Sequence, residues 1–167
     1  MELELCIKAK NGDVNAFAKL YESVSRKLYS TAFYMLGRRE DAEDIVMETV
    51  TDAFAQIASL REPAAFEGWI FRILTNKIRK RRKSYITEDV ELNEEISGTS
   101  TDQDERAALW SAIGKLSRRE REIIVLDILD GYSSDEIGSI LGMNPSTVRS
   151  KKQRALIKLK KVLSDAE

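Results

Sequence analysis

The chain has 167 residues, a third of them charged, with 27 bases against 28 acids and a net charge of −1. That length suits one or two small domains with a genuine core, and the balanced charge gives no global sign of a polyanionic partner. The absence of histidine removes the commonest general base and transition-metal ligand, while the single cysteine, Cys6, cannot close an internal disulfide and fits a reducing cytosol.

The first residues, MELELCIKAK, carry acids where a signal peptide needs bases, and no apolar run is long enough to span a membrane. A cytoplasmic chain with no direct membrane insertion is expected. Gly12-Asp13 opens a long helix whose apolar face runs Val14, Phe17, Leu20, Tyr21, Val24, Leu28, Ala32 and Met35, and Gly37 ends it. A second helix over about residues 40–59 turns Ile45, Val46, Val50, Ala53, Phe54 and Ile57 inward. It opens on Glu40, Asp41, Glu43 and Asp44, and Asp44 and Glu48, four apart, share a face. Acids at a helix N-terminus are explained by the macrodipole alone; a docking face for a basic partner is the functional alternative. Few other oxygen ligands are in view for a cation, and no metal site is expected.

Arg61-Glu62-Pro63 breaks the chain, because proline disfavours helix at the residue before it. A third helix begins near Phe66 and carries Trp69, Ile70, Ile73, Leu74 and Ile78. It also pairs aromatics (Phe66, Trp69, Phe71) with Arg72, Asn76, Lys77, Arg79 and Lys80. Aromatic faces stack on unpaired bases while cations track phosphates. Trp69 and Phe71 fit a core role at least as well, so the cation run is the stronger sign. From Glu88 to Glu105 the charge reverses completely, around Ser97-Gly98-Thr99-Ser100-Thr101. This reads as a self-repelling linker over 85–101 between domains at 1–84 and 102–167.

In the second half, Leu109, Ala112, Ile113 and Leu116 mark a helix begun near Thr101. Ser117 and Glu120 form a capping box ahead of Ile123, Ile124, Leu126, Ile128 and Leu129, closed by Gly131. Ser133 and Glu136 form another before Ile137, Ile140 and Leu141. Gly142 then supplies the bend, and Asn144-Pro145 restarts the helix as N-cap and first helical residue. The last helix carries Arg149, Lys151, Lys152, Arg154, Lys158, Lys160 and Lys161. Gly138, Gly142 and Val148 have the spacing of a helix-turn-helix whose second member reads DNA; the alternative is a surface hairpin whose lysines only solvate it. No segment alternates like a half-buried strand. The expected fold is all-α, with three or four helices in each half.

Across nearly its whole length the chain resembles a sigma factor of the extracytoplasmic-function group in the sigma-70 family. The matching residues are Asp41-Ala42-Glu43-Asp44-Ile45-Val46 with Glu48-Thr49, then Phe66, Gly68-Trp69-Ile70-Phe71-Arg72-Ile73 and Asn76. They continue with Leu116-Ser117, Arg119-Glu120-Arg121-Glu122, Asp135-Glu136-Ile137, Leu141-Gly142, Thr147-Val148-Arg149-Ser150-Lys151 and Arg154-Ala155. The resemblance implies docking on the clamp helices of core RNA polymerase through Asp41, Asp44, Met47 and Glu48. It implies melting and reading of the minus-ten promoter element by the loop from Leu60 to Phe66 and the helix after it. There Asn76 would contact a base, and Arg72, Lys77, Arg79 and Lys80 the phosphates. Thr147, Arg149, Ser150, Lys151, Lys152, Gln153 and Arg154 would read the minus-thirty-five element in the major groove. An anti-sigma factor is implied as a further partner, with no cofactor, small-molecule substrate or catalysis. Met47, Val50, Lys80 and Lys152 depart from the residues usual in the family. The competing reading is a stand-alone helix-turn-helix regulator; a helical-bundle enzyme is disfavoured by the missing histidines.

Overall fold

The computed structural model describes residues 1–88 and 102–165, with side chains over 1–84 and 107–165. It is all-helical over those residues, and the chain divides into two compact units, Met1–Leu92 and Asn93–Glu167.

The first unit holds α1 (Glu2–Lys10), α2 (Val14–Leu36), α3 (Arg39–Gln56) and α4 (Phe66–Glu88), with single 3₁₀ turns at Ile57–Ser59 and Pro63–Ala65. Asp13 starts α2 by accepting the Ala16 amide at 3.0 Å, and Gly37 ends it in the left-handed region at φ +77°. The central α2 packs on α1, α3 and α4, and its buried stripe includes Phe17, Leu20, Val24, Leu28, Ala32 and Met35. Its predicted first apolar position, Val14, is instead 60% exposed, although Ala16 and Phe17 in the same turn are buried. Phe54, predicted to face inward from α3, is 45% exposed and packs edge-to-face with Phe17, ring centroids 5.1 Å apart. On α4, Arg82 is buried and its guanidinium donates to the Met35 carbonyl, satisfying a backbone acceptor at the end of α2. Helix α4 continues to Glu88, inside the stretch expected as linker, and residues 89–101 lie outside the described residues.

The second unit holds α5 (Asp102–Gly114), α6 (Arg118–Ile124), a π-helical segment (Val125–Leu129), α7 (Ser134–Leu141) and α8 (Pro145–Asp165). Both predicted capping boxes are present, Ser117 with Glu120 and Ser133 with Glu136. Arg121 reaches back to donate to the Ile113 and Gly114 carbonyls at 3.3 and 3.1 Å, closing the C-terminal end of α5. The apolar run after α6 departs from a plain helix. The Asp130 amide donates five residues back to the Val125 carbonyl at 3.3 Å, and the wider turn buries Val125 and Leu126 while leaving Ile128 and Leu129 exposed. Both belong to the apolar run that the sequence places after the Ser117–Glu120 capping box, and the wide turn divides that run between core and surface.

The bend between α7 and α8 is set by two glycines for different reasons. Gly142 takes φ +66°, which a side chain adopts only at a cost. Gly138 has ordinary helical backbone, but a Cβ there would lie 2.6 Å from the Met143 carbonyl oxygen. Gly138→Ala should destabilise the second unit by about 1–3 kcal/mol and Gly142→Ala by about 1–2 kcal/mol. Urea unfolding followed by Trp110 fluorescence in a Trp69→Phe background reads both; wild-type midpoints would refute this account of the turn.

Candidate nucleic-acid interface

The acids of α3 and the bases of α4 face each other across the contact between these helices. Arg81 donates to Asp41 and to Glu48, both at 3.1 Å, and Lys77 pairs with Asp52 at 2.6 Å and Glu48 at 3.8 Å. Arg38 adds a longer contact to Asp41 at 3.7 Å. The predicted docking and phosphate-binding positions are therefore sorted by orientation. Asp41, Glu48 and Lys77 belong to the inter-helix ladder, Glu48 with half its side chain still exposed, whereas Asp44 and Met47 face solvent, Met47 at 69% exposure. Arg81, the pivot of the ladder, was not singled out in the sequence. Its spacing from Lys77, one helical turn, was the available signal.

On α4 the exposed residues Arg72, Asn76 and Lys80 recur every fourth position and so line one face. Arg79 is half-buried. Leu60 and Phe66, predicted as minus-ten contacts, are both buried, at 5% and 6% exposure, and anchor the two ends of the intervening loop. Its exposed residues are Arg61, Glu62, Ala64 and Ala65. Phe71 is core, as its alternative reading held, and Trp69 is half-buried with its ring 6.1 Å from Phe66.

On α8 the N-cap is Asn144, whose Oδ1 accepts from the Ser146 amide at 3.0 Å and the Ser146 hydroxyl at 2.8 Å. Val148 and Ala155 are fully buried and fix which side of α8 faces the unit. Thr147, Arg149, Ser150, Gln153 and Arg154 are exposed, and Lys151 is half-buried. Lys152 is tied inward to Asp127 of the π-helical segment at 2.7 Å. Lys158 is held at 2.9 Å by both carboxylate oxygens of Glu120, the capping-box residue of α6. Burial is the strongest single influence on the Glu120 carboxyl and pushes its pKa up. Lys158 and Ser117 together outweigh it and hold the pKa below the usual carboxylate value.

Among the described residues no cluster of three or more His, Cys, Asp or Glu side chains is placed to hold a metal ion. No described helix is long and apolar enough to cross a membrane.

The family described as Sigma-70 region 2 matches residues 20–85, and that described as Sigma-70, region 4 matches residues 106–159. The ECF RNA polymerase sigma factor SigW of Bacillus subtilis is 30% identical, over 98% of this chain and 100% of that protein. The chain belongs to the extracytoplasmic-function sigma factors of the sigma-70 family. Cupriavidus metallidurans RNA polymerase sigma factor CnrH is 28% identical over 98% of this chain and 95% of its own length. A solved structure of CnrH with the cytosolic domain of CnrY superposes with a TM-score of 0.80 at 26% identity, covering 99% of both chains. The sigma factor RpoE of Bartonella quintana, solved with the anti-sigma factor NepR, gives 0.73 at 27% identity, covering 90% of this chain and 98% of that one. The protein is thus a sigma factor that directs RNA polymerase to promoters, a non-enzymatic subunit rather than a stand-alone regulator.

The internal pairings of this sigma factor have measurable consequences. Because Asp127 occupies Lys152, Lys152→Met should leave the salt dependence of holoenzyme–promoter binding unchanged, whereas a lysine on phosphate would flatten the log–log slope by about 0.9. Glu120, with its lowered carboxyl, stabilises the fold above its unfolded pKa, and that contribution disappears as pH falls through the lower folded value. Urea midpoints measured on the acid side should therefore fall more steeply with pH in the wild type than in Glu120→Gln; superimposable acid limbs would contradict this.

Proposed function

We propose that the two units divide promoter engagement between them, with domains at 1–84 and 102–167 joined through 85–101. In this reading α3 docks on core RNA polymerase through Asp44 and Met47, with Asp41 and the half-exposed Glu48 holding α3 to α4. The loop over 60–66 and α4 engage the minus-ten element. Asn76 meets a base between Arg72 and Lys80 on phosphate, with Arg79 beside them. Helix α8 reads the minus-thirty-five element through Thr147, Arg149, Ser150, Gln153 and Arg154, with Lys151 at the margin. The observation that carries this reading is the sorting of α8's cations: Lys152 and Lys158 pair with the internal acids Asp127 and Glu120, while Arg149 and Arg154 stay exposed.

A role at promoters supports a cytoplasmic location for the chain. The similarity to CnrH and RpoE, each solved with a partner, supports an anti-sigma factor for this chain as well.

Run-off transcription with purified core polymerase tests the reading directly. Asp44→Lys should weaken core binding at least about tenfold, since a like charge set against a complementary surface costs several kcal/mol, while leaving the helical content intact because Asp44 is exposed. Arg149→Ala should retain core binding, lower promoter-dependent transcription and flatten the salt slope by about 0.9. Undiminished co-elution of Asp44→Lys with core would overturn the docking face, and an unaltered slope for Arg149→Ala the phosphate contact.

A further inference from the structure

We propose that Lys10 of α1 is a positioning residue for the minus-ten loop, which makes α1 part of the promoter-melting apparatus; this rests on the reading of residues 60–66 given above. Helix α1 lies outside the region 2 match at 20–85, and nothing in the sequence assigned it a role. It packs on the 3₁₀ turn that precedes the loop, Ile57–Ser59, and on the one within it, Pro63–Ala65, with Cys6 and Ala9 buried. From its last turn the half-buried Lys10 sends its ammonium to the Leu60 carbonyl, fifty residues on in sequence.

That bond falls where the loop leaves the core. Leu60 is extended at ψ 115° and its side chain is buried. Glu62 is extended at φ −111° and ψ 107°, as the following Pro63 requires. The Ala65 amide then donates to the Glu62 carbonyl at 3.0 Å, and Phe66 returns the chain to the core. The result is an arch with two apolar anchors and an exposed crown at Arg61, Glu62, Ala64 and Ala65. Capturing an extruded base opposes an unpairing free energy of a few kcal/mol, so a crown whose geometry is set beforehand binds the strand without ordering itself first. The Lys10 cation on the Leu60 carbonyl is a charge-assisted bond, among the stronger kinds available for fixing a backbone. It acts through the loop and touches no DNA.

The test uses holoenzyme assembled from full-length protein and core polymerase, with three probes. These are core affinity, a duplex fragment carrying only the minus-thirty-five element, and the non-template single strand across the melted region of a promoter it transcribes. Lys10→Met should bind the single strand about tenfold more weakly, the scale of one lost hydrogen bond to a charged group. Core and duplex affinities should stay at wild-type values, and Lys10→Arg should recover most of the loss. A merely structural role would lower core affinity together with strand binding; that result, or unchanged strand binding, overturns the proposal. A paired Arg61→Ala, Glu62→Ala variant separates the two readings. If it binds the strand normally, the loop itself is misassigned; if it binds weakly while Lys10→Met does not, only the role of Lys10 fails.

Discussion

The first unit is organised around one electrostatic contact, the guanidinium of Arg81 held between Asp41 and Glu48. Partly exposed ion pairs of this sort contribute about 0–1 kcal/mol each, so the hydrophobic stripe of α2 dominates the unit's stability. The consequence of the Arg81 contact is orientational. Together with the Lys77 pairs to Glu48 and Asp52, it turns Asp41, Glu48 and Asp52 toward α4 and Lys77 and Arg81 toward α3, and so decides which charges remain outward. What is left outside is a sparse acidic and apolar face on α3 and a cationic face on α4.

The second unit repeats this logic with its own residues. Lys152 and Lys158 lie on α8, yet their partners Asp127 and Glu120 come from the segment and helix packed behind it. Glu120 serves twice, bonding the Ser117 amide at 2.9 Å as well as the Lys158 ammonium. The helix that presents bases to its surroundings is thus latched by two bases of the same helix. Gly138 completes the constraint, since only a hydrogen at that Cα lets the Met143 carbonyl come so near.

Features set by neighbours along the chain are legible in the sequence itself. Both capping boxes, the glycine end of α2 and the turn between α7 and α8 depend on residues within a few positions of one another. Helix α1 escapes a periodicity reading because it presents no apolar stripe: small Cys6 and Ala9 are buried while Leu3 and Ile7 are exposed. The π-helical segment is invisible to a 3.6-residue period because its extra residue per turn is accommodated by packing beyond the segment. Within the candidate site, residue type is a fair guide to which segments matter and a poor guide to direction. Leu60 and Phe66 shape the loop from inside, and Lys152, the residue least expected in a recognition helix, has an acid waiting for it on another element. Long-range partners of this kind leave no local trace.

The same pairing explains how a chain of net charge −1 can serve as a DNA-binding subunit. On the proposed reading face α8 presents Arg149, Lys151 and Arg154, enough to release about three counterions from DNA. That supports only weak binding at physiological salt, where tight non-specific association would sequester the protein on the genome. In the proposed division of labour, specificity then requires the second grip assigned to α4 and the attachment to polymerase. Internal neutralisation therefore does two jobs at once: it orients the helices and keeps each interface too weak to act alone. A version of α8 with Lys152 and Lys158 released from their acids would bind DNA more tightly and discriminate less, because the added contacts would fall on phosphates rather than base edges.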